Sequence, residues 1–312
     1  MKTPVRPGSS GPRRRVGLAL VAALAFATGP GRGQSSPPPG PPSAAVVPAV
    51  AAAPLPPLPL TVAQQAVLQG SLAKFVTQFA AATGIRLIPI PAGTFTMGSD
   101  PEEADRDRSE GPPTRVTLTK DFFLGATDVT QGQYEALMGK NPANFIAAGK
   151  DAPVENVSWD DGMAFCQKLN EQERAAGRLP AGWALTLPTE AQWEYARREG
   201  TNGPVDDDPD ATAWYAKNSG GMTHPVATKR PNAWGLYDLE GNVSQWCHDW
   251  FGPYHGSSVT DPKGPATGFY RIARGGRFDD AAQFCRAASR TGGSQGRRCN
   301  EIGFRIALVF VP

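Results

Sequence analysis

The chain has 312 residues, a formal net charge of +2 and 40% hydrophobic residues. Its 31 basic side chains are interspersed with 29 acidic ones and are not gathered beside stacking aromatics, which argues against a nucleic-acid partner. The four cysteines, Cys166, Cys247, Cys285 and Cys299, form no C-x-x-C pair and no metal-finger spacing; they are too few for a disulfide scaffold but compatible with one or two bridges in an oxidising compartment.

Read from the N-terminus, Arg13, Arg14 and Arg15 precede an apolar run over 16–27 that is too short to span a bilayer, so residues 1–29 read as an export signal and no membrane span is expected after its removal. Residues 30–60 are Pro, Ala, Gly and Ser with almost no charge, a composition that favours extended geometry and buries no core: a tether. Over 61–83, Leu68, Leu72, Phe75, Val76 and Phe79 recur at helical spacing, which predicts a lead-in helix that docks on the domain or on a partner. The remainder, 85–312, is long enough to bury the core of one large domain.

Within that domain, 88–99 alternates apolar stretches with Gly and Pro and suits a strand and tight turn. An acidic and basic loop over 100–113 follows, and 114–119 together with 122–124 and 127–129 read as paired strands or extended segments. Thr130, Ser158 and Thr189 each stand where a side-chain oxygen can cap a helix. The three helices would bury Tyr134, Leu137 and Met138; Met163, Phe165, Cys166 and Leu169; and Trp193. Beyond Arg198 the periodicity fades into Gly, Asn, Asp and Trp, so tight turns and aromatic packing are expected to hold that half together.

Eight segments, in order, carry a resemblance. They are 91–98 (Pro-Ala-Gly-Thr-Phe-Thr-Met-Gly), 128–131 (Asp-Val-Thr-Gln), 153–159 (Pro-Val-Glu-Asn-Val-Ser-Trp), 187–195 (Leu-Pro-Thr-Glu-Ala-Gln-Trp-Glu-Tyr), 232–238 (Asn-Ala-Trp-Gly-Leu-Tyr-Asp), 241–246 (Gly-Asn-Val-Ser-Gln-Trp), 274–276 (Arg-Gly-Gly) and 302–305 (Ile-Gly-Phe-Arg). Together they resemble the formylglycine-generating enzyme, or sulfatase-modifying factor, family. The resemblance implies an α+β variant of the C-type lectin fold, with a small central sheet flanked by helices and little regular structure.

A fold of this kind hosts unrelated sites, so the chemistry has to be read residue by residue. In the oxidising members of the family two cysteines shortly after the Arg-Gly-Gly turn hold copper(I), and one of them captures the substrate cysteine that oxygen converts to formylglycine. Here Asp280 stands where the first ligand would fall, and Cys285 aligns with a position that is not a ligand. A lone thiolate among carboxylates is a poor copper(I) site, so copper is not expected, and Cys285 and Cys299 remain weak catalytic candidates.

The resemblance also implies a structural calcium site at Asp238, at the carbonyls of Gly241 and Val243, and at Gln245, where the family has an acidic side chain. Exchanging a carboxylate for an amide removes charge and weakens such a site. Likeness to non-oxidising members suggests a Cys247–Cys285 disulfide, against two buried thiols. His248 beside Asp249 is either an acid–base group or a satisfied histidine, and no Ser-His-Asp or phosphate-loop motif is present.

The tryptophans read mostly as core, with Trp214 and Trp250 as contact candidates. The leading expectation is a secreted or periplasmic binding or scaffold module for a protein or glycan. Its ligand surface is placed on Trp250, Tyr254, His255, Arg277, Asp279, Asp280 and Arg297. The alternatives are an oxidoreductase acting on a protein cysteine, a lectin-fold target protein diversified by a retroelement, and a structural envelope component.

Overall fold

The computed structural model describes residues 59–201 and 208–311. The expected export signal over 1–29 and nearly all of the tether over 30–60 lie outside these residues. The lead-in segment forms two helices rather than one: α1 (Val62–Val67), closed by a Thr61–Gln64 capping box, and α2 (Gly70–Thr83). The break has a local cause, because Gly70 adopts φ +56, a left-handed conformation that interrupts a continuous helix. The apolar stripe lands as expected on the domain. Phe75, Val76 and Phe79 are buried in the same cluster as Leu87, Phe123, Leu185 and Leu308.

Among the described residues the strands form three small sheets. The first is antiparallel throughout and runs β1 (Leu87–Ile90), β4 (Phe122–Gly125), β11 (Ala307–Phe310), β5 (Trp183–Thr186). A second joins β2 (Gly93–Met97) to β3 (Thr114–Leu118), with β7 (Val259–Thr260) alongside β3 in parallel. The third runs β10 (Ile302–Gly303), β6 (Ser244–Trp250), β8 (Arg271–Arg274), β9 (Arg290–Gly293). Thus β3 and β4, expected as a pair, belong to different sheets, and β4 is flanked by the first and the last strands of the domain. Residues 127–129 lie in no strand.

The capped helices follow the local signals. Thr130, Ser158 and Thr189 each form a capping box at the head of α3 (Gln131–Met138), α4 (Trp159–Ala175) and α5 (Glu190–Arg197). A one-turn helix, α6 (Pro209–Thr212), follows later in the chain. Helices α4 and α5 and the segment leading into α4 are tied to β6 by buried indoles that each find an acceptor. Trp159 donates to the Cys247 carbonyl at 2.8 Å, Trp193 to Gln245 Oε1 at 2.7 Å and Trp246 to the Val157 carbonyl at 3.0 Å. Tight turns hold the second half as expected. Gly241 has φ +69, and a Cβ there would collide with the carbonyl oxygen of Trp214.

Under the Arg-Gly-Gly turn lies a buried ion-pair centre. Glu194 on α5 accepts from Arg274 on β8, from Arg198 Nε at 2.8 Å and from the Gly98 amide at 2.8 Å. Neither Arg274 nor Glu194 is exposed to solvent. Arg274 also donates to the carbonyls of Ala287 and Ser289, fixing the segment after the turn. Its Nε makes no hydrogen bond but lies 3.2 Å from Glu190 Oε1, so a second carboxylate shares the buried charge.

Candidate functional site

Where β2 and β3 meet the N-terminus of α5 and the loops over 252–256 and 262–265, a cleft of about 600 Å³ opens. Its base is polar because α5 begins there. Glu190, in the first turn, receives a bidentate contact from Arg290 at 2.6 and 2.9 Å and the Tyr254 hydroxyl at 3.1 Å. Asp249, at the end of β6, accepts the Glu190 backbone amide at 3.0 Å and so caps the helix from outside. Burial, then the neighbouring Glu190 carboxylate, push the Asp249 carboxyl up to about 8. At neutral pH it is an un-ionised acid.

Arg290 uses four of its five N–H donors. It bonds Glu190, the Ser109 carbonyl at 2.6 Å and the Gly252 carbonyl at 3.0 Å, and it lies over the rings of Phe251 and Tyr254 at 4.5 and 4.1 Å. Trp250 at the cleft wall carries the Arg271 guanidinium on one face, 3.6 Å from its ring; the same guanidinium lies 3.6 Å from the ring of Trp159. Trp214, the other contact candidate, stacks on His224 at 3.8 Å and carries Lys229 at 4.1 Å. His248 packs edge-on to Trp159, and burial, then the nearby Arg271, lower its pKa.

The expected ligand surface sorts into two groups. Trp250, Tyr254 and His255 line the cleft. Arg277, Asp279, Asp280 and Arg297 instead converge on one another and on Glu301. Arg277 grips Asp280 with contacts of 2.7 and 3.1 Å, bonds Glu301, and lies 3.7 Å from Asp279, while Arg297 lies 3.5 Å from Glu301. Asp280 is therefore paired with a guanidinium.

All four cysteines are free thiols, so the Cys247–Cys285 bridge is not formed. The two belong to different apolar clusters, Cys247 with Ala191 and Trp193 and Cys285 with Ala213 and Tyr215. Burial pushes the Cys285 thiol up to about 12 and also raises Cys166 and Cys247, so none of the three is poised as a thiolate. Cys299 is partly buried against a third cluster. Among the described residues no three His, Cys, Asp or Glu side chains gather as a metal site.

The implied calcium donors do not fit an ion. Gln245 Oε1 accepts from Trp193 Nε1 and from Arg305 Nε at 2.6 Å, so both of its lone pairs face N–H donors. Gln245 Nε2 donates to the Asp238 carbonyl, which also accepts from Arg305 Nη2 at 3.0 Å. Asp238 Oδ2 accepts the Ala227 amide at 2.7 Å, and burial raises its carboxyl to about 6. The positive charge at this turn is the buried Arg305.

The sequence reading missed Glu190, Arg290, Glu194 and Arg274 as a connected set, and it also missed Asp128. The Asp128 carboxyl is buried without a hydrogen-bond partner, 4.0 Å from Arg305, and desolvation raises it well above the usual range. The available signal for the first four was the pair of glutamates on one face of α5, at 190 and 194, answered by Arg274 just before the Gly-Gly turn and Arg290 at the start of β9.

Comparison with known proteins places this architecture among the formylglycine-generating-enzyme variants of the C-type lectin fold. The solved structure of Treponema denticola variable protein 1 superposes with a TM-score of 0.64 at 33% identity, covering 73% of this chain and 95% of that one. PvdO from Pseudomonas aeruginosa gives 0.59 at 26% identity, covering 71% and 93%. Residues 73–309 match the sulfatase-modifying factor enzyme 1-like domain, and the chain belongs to that family. Among curated relatives, the formylglycine-generating enzyme of Mus musculus is 27% identical over 73% of this chain and 76% of its own length. That of Streptomyces coelicolor is 35% identical over 52% and 54%.

Proposed function

We propose that this chain is an exported member of the sulfatase-modifying factor family that binds a ligand and does not oxidise cysteine. The observation that carries the reading is the closed Arg277–Asp280–Glu301 cluster just after the Arg-Gly-Gly turn, where the family resemblance implies the first thiolate of oxidising members. A guanidinium paired with carboxylates offers copper(I) no soft donor, and the nearest thiol in sequence, Cys285, is buried and protonated. The ligand site is the cleft at Glu190, Asp249 and Arg290, where buried ionisable groups meet an open concavity.

Export rests on the basic residues 13–15 and the apolar run behind them. No helix among the described residues is long and apolar enough to cross a membrane. The test is a turnover assay: protein, copper(I), oxygen and a cysteine-containing peptide, with aldehyde trapped by a hydrazide. No aldehyde above background is expected; aldehyde formation that needs Cys285 overturns the reading.

The likeness to a variable protein favours a second reading, in which exposed positions between the framework residues Arg274 and Arg286 differ among copies of the gene. Sequencing the locus across isolates tests it. Substitutions confined to such positions support it, and an evenly changing domain opposes it.

A further inference from the structure

The cleft surface is mostly apolar: Met97, Val116, Ala191, Val259, Pro262 and Pro265 supply it. Most of the polar groups at its base are already paired. Glu190 is held by Arg290 and Tyr254, Arg290 spends four of its five N–H donors on Glu190, Ser109 and Gly252, and Asp249 Oδ2 takes the Glu190 amide. A ligand rich in hydroxyls would have to break these bonds or bury most of its own groups unpaired. That disfavours a glycan and favours a hydrocarbon surface.

The rim is different in charge. Lys263 lines the cleft, is exposed, and forms no ion pair or hydrogen bond among the described residues. The acid closest to it in the chain, Asp261, is committed to Thr119, accepting from its amide at 2.8 Å and its hydroxyl at 2.6 Å. The cleft thus joins apolar walls over a paired polar base to one uncompensated cation at its mouth. Clefts of 300–1,000 Å³ hold small organic ligands, and the volume here is about 600 Å³.

We propose that the cleft binds a medium-chain fatty acid, the chain lying on the Met97–Val116–Val259 surface and the carboxylate meeting Lys263. This rests on the reading of the cleft as the ligand site. Isothermal titration of the full chain at pH 7 with octanoate, and with octanol as the uncharged counterpart, tests it.

Saturable one-to-one binding of octanoate is expected, weakened roughly tenfold by Lys263→Gln, while octanol binding stays unchanged in that variant. Thr260→Trp, on an exposed strand position lining the cleft, should abolish both by filling it. Lys168→Gln, on the exposed face of α4, should change neither. Absence of saturable octanoate binding overturns the proposal, as does a Lys263→Gln variant with wild-type affinity. If octanoate fails to bind while no aldehyde forms in the turnover assay, the ligand class is wrong and the non-oxidising reading stands; if aldehyde forms, that reading fails regardless of octanoate.

Discussion

Replacing Asp249 by Asn isolates the energetic consequence of a buried acid at the cleft base. The carboxyl is 4% exposed and titrates near 8 in the folded chain, against 3.8 when free. A folded-state pKa above the unfolded value means that the stabilisation is fully present below about pH 4 and is lost as pH rises towards 8. Each pH unit in that window is worth about 1.4 kcal/mol, so this one group should remove about 4 kcal/mol of stability between pH 4 and pH 7.

Asn keeps a carbonyl oxygen for the Glu190 amide and cannot ionise. Asp249→Asn should therefore match the wild type to within about 1 kcal/mol at pH 4 and exceed it by about 4 kcal/mol at pH 7. Urea unfolding at unit pH steps from 4 to 8 measures this as the difference between two curves. Other buried carboxyls raised by burial, Asp128, Glu155 and Asp238, titrate in both proteins and cancel. A difference that stays flat from pH 4 to 8 would refute the reasoning.

Glu194→Gln should cost about 3–5 kcal/mol in the same urea assay, because Arg274 keeps only Glu190, 3.2 Å away and shared with Arg290, to balance its buried charge; a loss under about 1 kcal/mol would mean that the pair is solvated. Ellman titration without reductant should count one reactive thiol in the native protein, Cys299, and four after unfolding; two thiols in denaturant would restore the Cys247–Cys285 bridge. Exchanging calcium for EDTA should shift the melting temperature by less than about 1 °C, since the Gln245 oxygen is taken by Trp193 and Arg305; a larger shift shows binding to the folded state.

What was legible in the sequence was local. Thr130, Ser158 and Thr189 announced their helices because a cap and its partner three residues on are chain neighbours. Strand β6 was not legible: its first four residues, Ser244 to Cys247, are all buried, so alternation is erased. The pairing of β4 with β11 depends on a partner at the far end of the domain, which no window over 122–129 contains.

The cleft was half visible. Trp250, Tyr254 and His255 stood out as an aromatic loop, whereas Glu190 read only as a first-turn acid and Arg290 as one of several dispersed arginines. Their joining is tertiary. Arg277 and Asp280 were visible as neighbours, but their closure onto Glu301 needed the turn that brings β9 back past β8.

The most direct measurement is an anaerobic copper(I) titration of the reduced protein against a competing chelator. The account predicts that the chelator keeps the copper, with no difference between wild type and Cys285→Ser. A stoichiometric site that outcompetes the chelator in the wild type and vanishes in Cys285→Ser would contradict it.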